Sequence, residues 1–487
     1  MQLGALAGPR SGLTGEAEAT EITGLSADSR EIGPGYLFAA LPGTLTDGAR
    51  FIPAAVANGA AALLLPEGSP AERPPGLPVI EDANPRRRLA LMAARFFGAQ
   101  PEVAVAVTGT NGKTSVATFV RQIWQGMGHR AASLGTLGVA GNGESQPLPH
   151  TTPEPVTLHR VLAELARDGV THAALEASSH GLQQQRVDGV RLRAAAFTNI
   201  SRDHLDYHGD FESYLDQKLR LFREVIPEGA PVVVDADANG ADAVREVARK
   251  RGSPLLSIGR AGETLTLVDV GREGFSQRLT VRHGDERYEI ALPLVGGFQC
   301  SNALVSAALC MACGASADEV LPLIARLEGA AGRLDLAGVT GRNAPVFIDY
   351  SHTPDALANA LAALRPYAEK RLVVVFGCGG DRDPGKRPEM GAAARDGADL
   401  VYVTDDNPRS EDPAAIRAAA LAAVPDGIDA GDRREAIAAA IGALGPGDVL
   451  LVAGKGHETG QTVGDRVLPF SDHEVVREIL AMEAADD

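Results

Sequence analysis

Cysteine is scarce, with four in 487 residues. That excludes a disulfide scaffold and fits a reducing cytoplasm. The one close pair, Cys310 and Cys313, lies in the Ala-rich run NALVSAALCMACGA. It lacks the second ligand pair of a zinc or redox motif and reads as packing in a buried helix. Long apolar runs are also missing, and none approaches the ~18 residues of a membrane span. Positive charge is short: 46 Lys and Arg against 63 Asp and Glu leave a net charge of −17. A chain this acidic is not expected to coat nucleic acid or an anionic membrane. Any anionic ligand must then be held by loops and a few placed cations. The opening MQLGALAGPRSG has neither a basic region nor a sustained apolar one, and is not expected to be a secretory signal.

What is present suffices for a large core. Hydrophobic residues make up 45% of the chain and charged ones 22%, and the length suggests about three domains. Residues 1–98 alternate short strands (TEITGLSADSR, YLFAALPG, AAALLL) with helical stretches (FIPAAVANG, NPRRRLALMAARFFG). Gln100-Pro101 makes a natural linker, because the residue before Pro is pushed out of the helical region. Residues 99–331 carry the apolar runs VAVAVT, AALEASS, AAAFTNIS and PVVVDADA between helical segments, the pattern of a mostly parallel sheet covered on both faces. Residues 262–292 look antiparallel. A third α/β stretch, 332–487, has strands in PVFIDYSH, RLVVVFGCGG, DLVYVTDDNPR and DVLLVAGKGHE, each ending in a polar or glycine-containing cluster. Ligands of open α/β sheets bind beyond the carboxyl ends of strands, so these four clusters predict one crevice.

The strongest motif is Thr108-Gly109-Thr110-Asn111-Gly112-Lys113-Thr114, set between a buried strand and a helix. Backbone N–H groups at the helix N-terminus cradle phosphate oxygens, Lys113 adds a point charge, and the Thr114 hydroxyl suits Mg²⁺. Val107 stands where the general ATPase loop has glycine, so this loop is shorter. Glu176 ends the next strand, and His204 follows the one after, with Asp203 and Asp206 nearby. Alone, each would be a solvated turn residue. Two such strand ends after a phosphate loop point to a metal.

With these segments in hand, the sequence resembles the Mur ligase family of ATP-dependent amide-forming enzymes of peptidoglycan precursor synthesis. The resemblance rests on T-G-T-N-G-K-T, on E-x-S-S-H-G-L at Glu176–Leu182, and on S-R-D-H-L-D-Y-H-G at Ser201–Gly209. It extends to Asp28–Arg30 with the following G-x-L-F-x-A, Asp47-Gly48, Asp349–Asp355, Gly377–Asp383, Asp406–Arg409 and Gly454–Glu458. It implies an α/β fold in three domains: a small N-terminal UDP-binding domain (1–98), a central P-loop-type ATPase domain with a mostly parallel sheet (99–331), and a Rossmann-like C-terminal domain (332–487). The implied reaction activates a carboxylate of UDP-N-acetylmuramoyl-L-alanyl-D-glutamate as an acyl phosphate, which the amine of meso-2,6-diaminopimelate then attacks. A lysine-adding relative and a folylpolyglutamate synthetase-like ligase are the alternatives within the superfamily. A P-loop motor or regulatory NTPase is the alternative from another class.

Residue by residue, the resemblance implies ATP contacts from Thr108, Gly109, Thr110, Asn111, Gly112, Lys113, Thr114, Asn302, Arg333, Asp349 and His352. The Mg²⁺ ligands would be Thr114, Glu176, His204 and Lys218, the last as a CO₂-derived carbamate. Lys113, Glu176, His204 and Lys218 would carry catalysis. Outside the resemblance, Lys218 is an ordinary surface lysine of a helix, Asn302 a helix cap and Arg333 half of a surface ion pair. Ser29, Thr44, Leu45 and Thr46 would hold the nucleotide end of the muramoyl substrate. Thr151, Thr152, Ser178, Gln184 and Arg186 would hold its other end, with His150 where relatives often carry Asn. Diaminopimelate would be read by Arg382, Asp406, Asn407, Pro408, Arg409, Gly454 and Glu458. Its distal carboxylate suits the planar fork of Arg409. A cytoplasmic monomer acting on small molecules is expected.

Overall fold

The run VAVAVT forms the strand Val103–Thr108, buried from Ala104 onward because β-branched and small residues face covering layers on both sides. The computed structural model describes residues 1–487 except 10–11, 44–45, 142–144, 202, 204 and 487, and the side chains of 205–206 and 484–486. By compactness the chain divides into two units. One holds residues 1–267, 281–287 and 301–323; the other holds 268–280, 288–300 and 324–487.

In the first unit the N-terminal stretch forms a four-stranded parallel sheet, Gly24–Ser26, Tyr36–Ala39, Ala62–Pro66 and Val79–Asp82, in chain order. Leu37 and Leu64 belong to one core cluster, Phe38 and Leu63 to a second, as the two-residue period of a strand requires. The helix Pro85–Phe97 follows, started by Pro at its first position and by Asn84 accepting from the Arg87 N–H. The larger sheet has Val103–Thr108 between the parallel strands His172–Glu176 and Leu192–Phe197. Val232–Asp235 and Leu255–Gly259 extend it on one side and Ala131–Gly135 on the other, all parallel. Only Gly138–Ala140 pairs antiparallel among these seven. The carboxyl ends of three neighbouring strands, Thr108, Glu176 and Phe197, therefore lie side by side.

Three strands follow, Leu265–Glu273, Ser276–His283 and Glu286–Leu292, turning at Gly274 and Gly284, both at φ +58°. The cysteine-bearing run is the helix Gly297–Ala312, with Cys310 fully buried.

The second unit holds a six-stranded sheet in the order Asp335–Val339, Pro345–Asp349, Val449–Ala453, Leu372–Cys378, Leu400–Asp405 and Ile428–Gly431. All neighbours are parallel except the first pair. Leu372–Cys378 is buried throughout, with core clusters on both faces. The expected crevice has its physical basis here: Asp349, Cys378, Asp405 and Ala453 end four adjacent parallel strands.

Candidate active site

The loop after Thr108 is held by close backbone approach. A Cβ on Gly109 would collide with Thr198 Oγ1. Thr110 N–H donates to Asn199 O (2.9 Å), Asn111 N–H to Asn199 Oδ1 (3.0 Å), and Thr198 Oγ1 donates to Asn111 O (2.6 Å). Gly112 sits at φ +87°, where any side chain would strike Asn302 Oδ1. Asn302 is thus no helix cap. It lies within the helix Gly297–Ala312, which packs on the Lys113–Gly126 helix through Ser306 Oγ to Val116 O (3.3 Å). Lys113 Nζ donates to Gly109 O (2.9 Å) and Thr110 O (2.8 Å), bridging its own loop.

Two neighbouring strand ends meet at this loop. The Thr114 hydroxyl donates to Glu176 Oε2 (3.0 Å), and Thr136 N–H donates to Glu176 Oε1 (2.8 Å). Lys218, on the helix Phe211–Arg220, is 1% exposed. Its Nζ donates to Gly109 O (2.7 Å) and lies 4.4 Å from the Tyr214 ring centroid. Burial, reinforced by the Lys113 charge, holds its ammonium well below the ordinary lysine range. The surface-lysine reading is therefore wrong for Lys218. Tyr214 anchors the same helix through its OH and Thr110 Oγ1 (3.0 Å). The helix leaves through a π turn, Leu221–Val225, and Arg220 at that junction makes a bidentate pair with Asp188 (2.8 and 2.9 Å).

The residues expected at the muramoyl substrate meet Glu176 from the other side. Thr152 Oγ1 donates to Glu176 O (2.8 Å) and accepts from Ser178 N–H (3.0 Å), and Thr151 Oγ1 lies 3.1 Å from Thr136 Oγ1. Arg186 donates to Thr152 O (2.7 Å) and Gln184 Oε1 (2.7 Å). Ser29, Gln184 and Arg186 line one cavity of about 730 Å³, together with Arg30, Phe51 and Arg86. Burial and the nearby Arg186 charge lower the pKa of His150. Thr46 is exposed and is not among the described residues lining the cavity. Thr44, Leu45 and His204 lie outside the described residues.

In the second unit Asp349 is buried, and burial raises its pKa. It accepts from Leu334 N–H (2.7 Å) and Ser351 N–H (2.8 Å). Tyr350, next to it, has the Arg333 guanidinium 4.8 Å from its ring centroid and the His352 and His457 rings at 4.6 and 5.1 Å. Arg333 thus makes an aromatic contact with Tyr350. His457, on the same tyrosine, has its pKa driven down to about 4 by burial and by Arg333.

At the ends of the neighbouring strands lie Arg382, Asp406–Arg409, Gly454 and Glu458. Asn407 Nδ2 donates to Glu458 Oε2 (3.0 Å), and Arg409 Nη1 donates to Gly380 O (2.7 Å). Arg409 is at φ +52°. Five described non-glycine residues have positive φ: Gln185, Leu334, Asn343, Asp381 and Arg409. All but Asn343 either stand in or adjoin the expected ligand residues, where backbone strain concentrates at functional sites. Sequence reasoning passed over Thr136 and Lys455, both bonded to expected site residues. Lys455 was visible inside G-K-G-H-E, but nothing in its spacing announced burial.

Three family descriptions match successive parts of the chain. They are "Mur ligase family, catalytic domain" over residues 21–97, "Mur ligase middle domain" over 107–310 and "Mur ligase, glutamate ligase domain" over 332–456. The chain is 54% identical over 489 residues to the UDP-N-acetylmuramoyl-L-alanyl-D-glutamate–2,6-diaminopimelate ligase of Bradyrhizobium diazoefficiens, covering 100% of both. A solved structure of a ligase of the same name superposes with a TM-score of 0.73 at 31% identity, covering 99% of this chain and 100% of that one. Mycobacterium tuberculosis folylpolyglutamate synthase with ADP shares the fold, with a TM-score of 0.63 at 19% identity over 76% of this chain and 92% of its own. These end-to-end likenesses, together with the phosphate-loop geometry, establish that the chain belongs to the Mur ligase family.

Proposed function

We propose that the chain joins meso-2,6-diaminopimelate to UDP-N-acetylmuramoyl-L-alanyl-D-glutamate with ATP, releasing ADP and phosphate, in peptidoglycan precursor synthesis. The observation that carries this reading is the likeness over the whole chain to a ligase so named. Residues 1–98 take the UDP end, 99–331 the ATP and 332–487 the amino acid, within a cytoplasmic monomer. No helix among the described residues is long and apolar enough to cross a membrane.

The chemistry has two displacements. A substrate carboxylate oxygen attacks the γ-phosphorus, the P–O bond to ADP breaks, and an acyl phosphate forms. The diaminopimelate nitrogen then attacks the acyl carbon and loses a proton, and the C–O bond to phosphate breaks. Two anions must approach in the first step, so charge neutralisation and alignment dominate the barrier. The loop N–H groups and Lys113 take up phosphate charge once Lys113 turns from its own carbonyls to the nucleotide. Thr151, Thr152, Ser178, Gln184 and Arg186 hold the muramoyl peptide. Asn302, Arg333, Asp349 and His352 serve the nucleotide.

The Thr114 hydroxyl and Glu176 carboxylate, 3.0 Å apart, are hard oxygen donors of the kind Mg²⁺ takes. His204 and Lys218, as a carbamate, would complete the set, and Mg²⁺ when bound would neutralise phosphate charge. Carbamylation joins the neutral Lys218 amine to CO₂: an N–C bond forms, one C=O π pair moves to oxygen, and the proton leaves to solvent. The burial of Lys218 supports this, because it favours the neutral amine over the ammonium. A lysine-adding activity would leave Arg409 without a carboxylate to hold. A folylpolyglutamate activity would leave residues 21–97 without a substrate. The test is ADP and phosphate release by the purified chain with UDP-muramoyl-dipeptide and a panel of amino acids. Release should require all three substrates and favour meso-diaminopimelate; release without any acceptor amine would contradict the reading.

A further inference from the structure

Lys455 has no exposed side-chain surface, yet it touches residues of two separate motifs. Its Nζ lies 3.2 Å from Asp406 Oδ1 and 3.3 Å from Glu458 Oε2, and donates to Asn407 Oδ1 (3.0 Å) and Gly460 O (2.8 Å). Asn407 Oδ1 also accepts from Thr462 N–H (2.8 Å), which orients its amide so that Nδ2 reaches Glu458 Oε2. Both bonds to Glu458 fall on Oε2, and Oε1 carries none among the described residues. A second buried cation, Arg433, pairs with Asp472 (2.7 and 2.8 Å) and donates to Ala453 O (2.9 Å), the residue before Gly454.

We infer that Lys455 is a positioning residue of the amino-acid site: it holds Asp406, Asn407 and Glu458 in register for the ammonium and carboxylate of an incoming diamino acid. The inference rests on the proposed function. The electrostatic argument is simple. Asp406 and Glu458 together carry two negative charges in a half-buried site, and Lys455 cancels one. Among these three groups one negative charge remains to face a substrate ammonium, while the neighbouring Arg382 and Arg409 suit its carboxylate. Without Lys455 the two carboxylates repel, Asn407 Oδ1 loses a donor, and the free oxygen of Glu458 is no longer aimed. Lys455 itself is sealed from the ligand, so its effect passes entirely through the residues it holds.

The experiment measures steady-state kinetics of wild type, Lys455→Met and Lys455→Arg with all three substrates varied in turn. Lys455→Met should raise the KM for meso-diaminopimelate at least 30-fold. The KM values for ATP and UDP-muramoyl-dipeptide should stay within about twofold. Lys455→Arg keeps the buried charge but cannot reproduce the compact arrangement of three acceptors and the Asp406 ion pair. It should show an intermediate rise, and it decides the matter if the Met variant does not fold. An unchanged diaminopimelate KM in a folded variant, or an equal loss for all three substrates, would overturn the inference. A wild type that does not use diaminopimelate at all would overturn the proposed function and this inference with it.

Discussion

The Thr114 hydroxyl donates to the Glu176 carboxylate across 3.0 Å, joining the first turn of the phosphate-loop helix to the end of the neighbouring parallel strand. Glu176 is 3% exposed, and its other oxygen is held by Thr136 N–H. Its charge is therefore fixed beside the loop before any ligand arrives. Glu176→Gln keeps the shape and removes the charge. It should lower kcat at least 100-fold, about 2.7 kcal/mol of transition-state stabilisation, and raise the Mg²⁺ concentration needed for half-maximal rate. A Mg²⁺ titration of the purified variant checks both.

Lys218 titrates with a definite sign. Its ammonium is held below the ordinary lysine value by burial and by Lys113, so the neutral amine that CO₂ requires is available at lower pH than for a free lysine. Carbamate occupancy should rise with bicarbonate and fall as acid protonates the amine. Lys218→Ala should be nearly inactive and partly rescued by short carboxylic acids. Native mass spectrometry across pH, alongside the rescue assay, measures both.

The Asp188–Arg220 pair is a stability prediction. Both side chains are nearly buried, at 5% and 7% exposure, and Arg220 also donates to Leu182 O (3.1 Å). Asp188→Asn removes the buried bidentate partner and leaves Arg220, at the end of the helix bearing Lys218, with the exposed Glu224 carboxylate (2.9 Å) and Leu182 O. An uncompensated buried charge costs about 3–5 kcal/mol, and because Glu224 still pairs with Arg220 the loss here should fall below that range. Urea denaturation should show a lower midpoint with little change in slope, and Asp188→Asn/Arg220→Leu should recover part of the loss.

At Arg409 backbone strain coincides with the proposed diaminopimelate contact. A non-glycine residue in the left-handed region costs about 1–2 kcal/mol, so Arg409→Gly should be more stable than Arg409→Ala by about 1 kcal/mol. Both variants should lose diaminopimelate affinity equally, because both lack the guanidinium. Thermal melts separate the backbone effect and KM values measure the recognition.

The phosphate loop was legible because its function requires a short contiguous string, Thr108–Thr114, with glycines where backbones crowd. The end-to-end order of strands and helices was legible from apolar runs broken by turn residues. What the sequence hid were contacts made across the fold. Nothing near Asn302 says that it abuts Gly112, 190 positions earlier, and a helix-cap reading was reasonable until its helix proved to begin at Gly297. Lys218 and Lys455 look solvent-facing because lysine usually is. Their burial follows from partners, Gly109 O in one case and Asp406, Asn407 and Glu458 in the other, that no local period reveals. Sheet order was hidden too: Val449–Ala453 inserts between Pro345–Asp349 and Leu372–Cys378, and that insertion brings Gly454 beside the Asp406 cluster.

The central claim is tested most directly by competition. Equal concentrations of meso-diaminopimelate and L-lysine, with ATP and UDP-muramoyl-dipeptide, are offered to the wild-type chain, and the UDP-linked products are separated by mass. Loss of the Arg409 pair should cost lysine about 2–5 kcal/mol, so the diaminopimelate product should exceed the lysine product by roughly 30-fold or more. Comparable amounts of the two products, or a majority of the lysine product, would contradict the account.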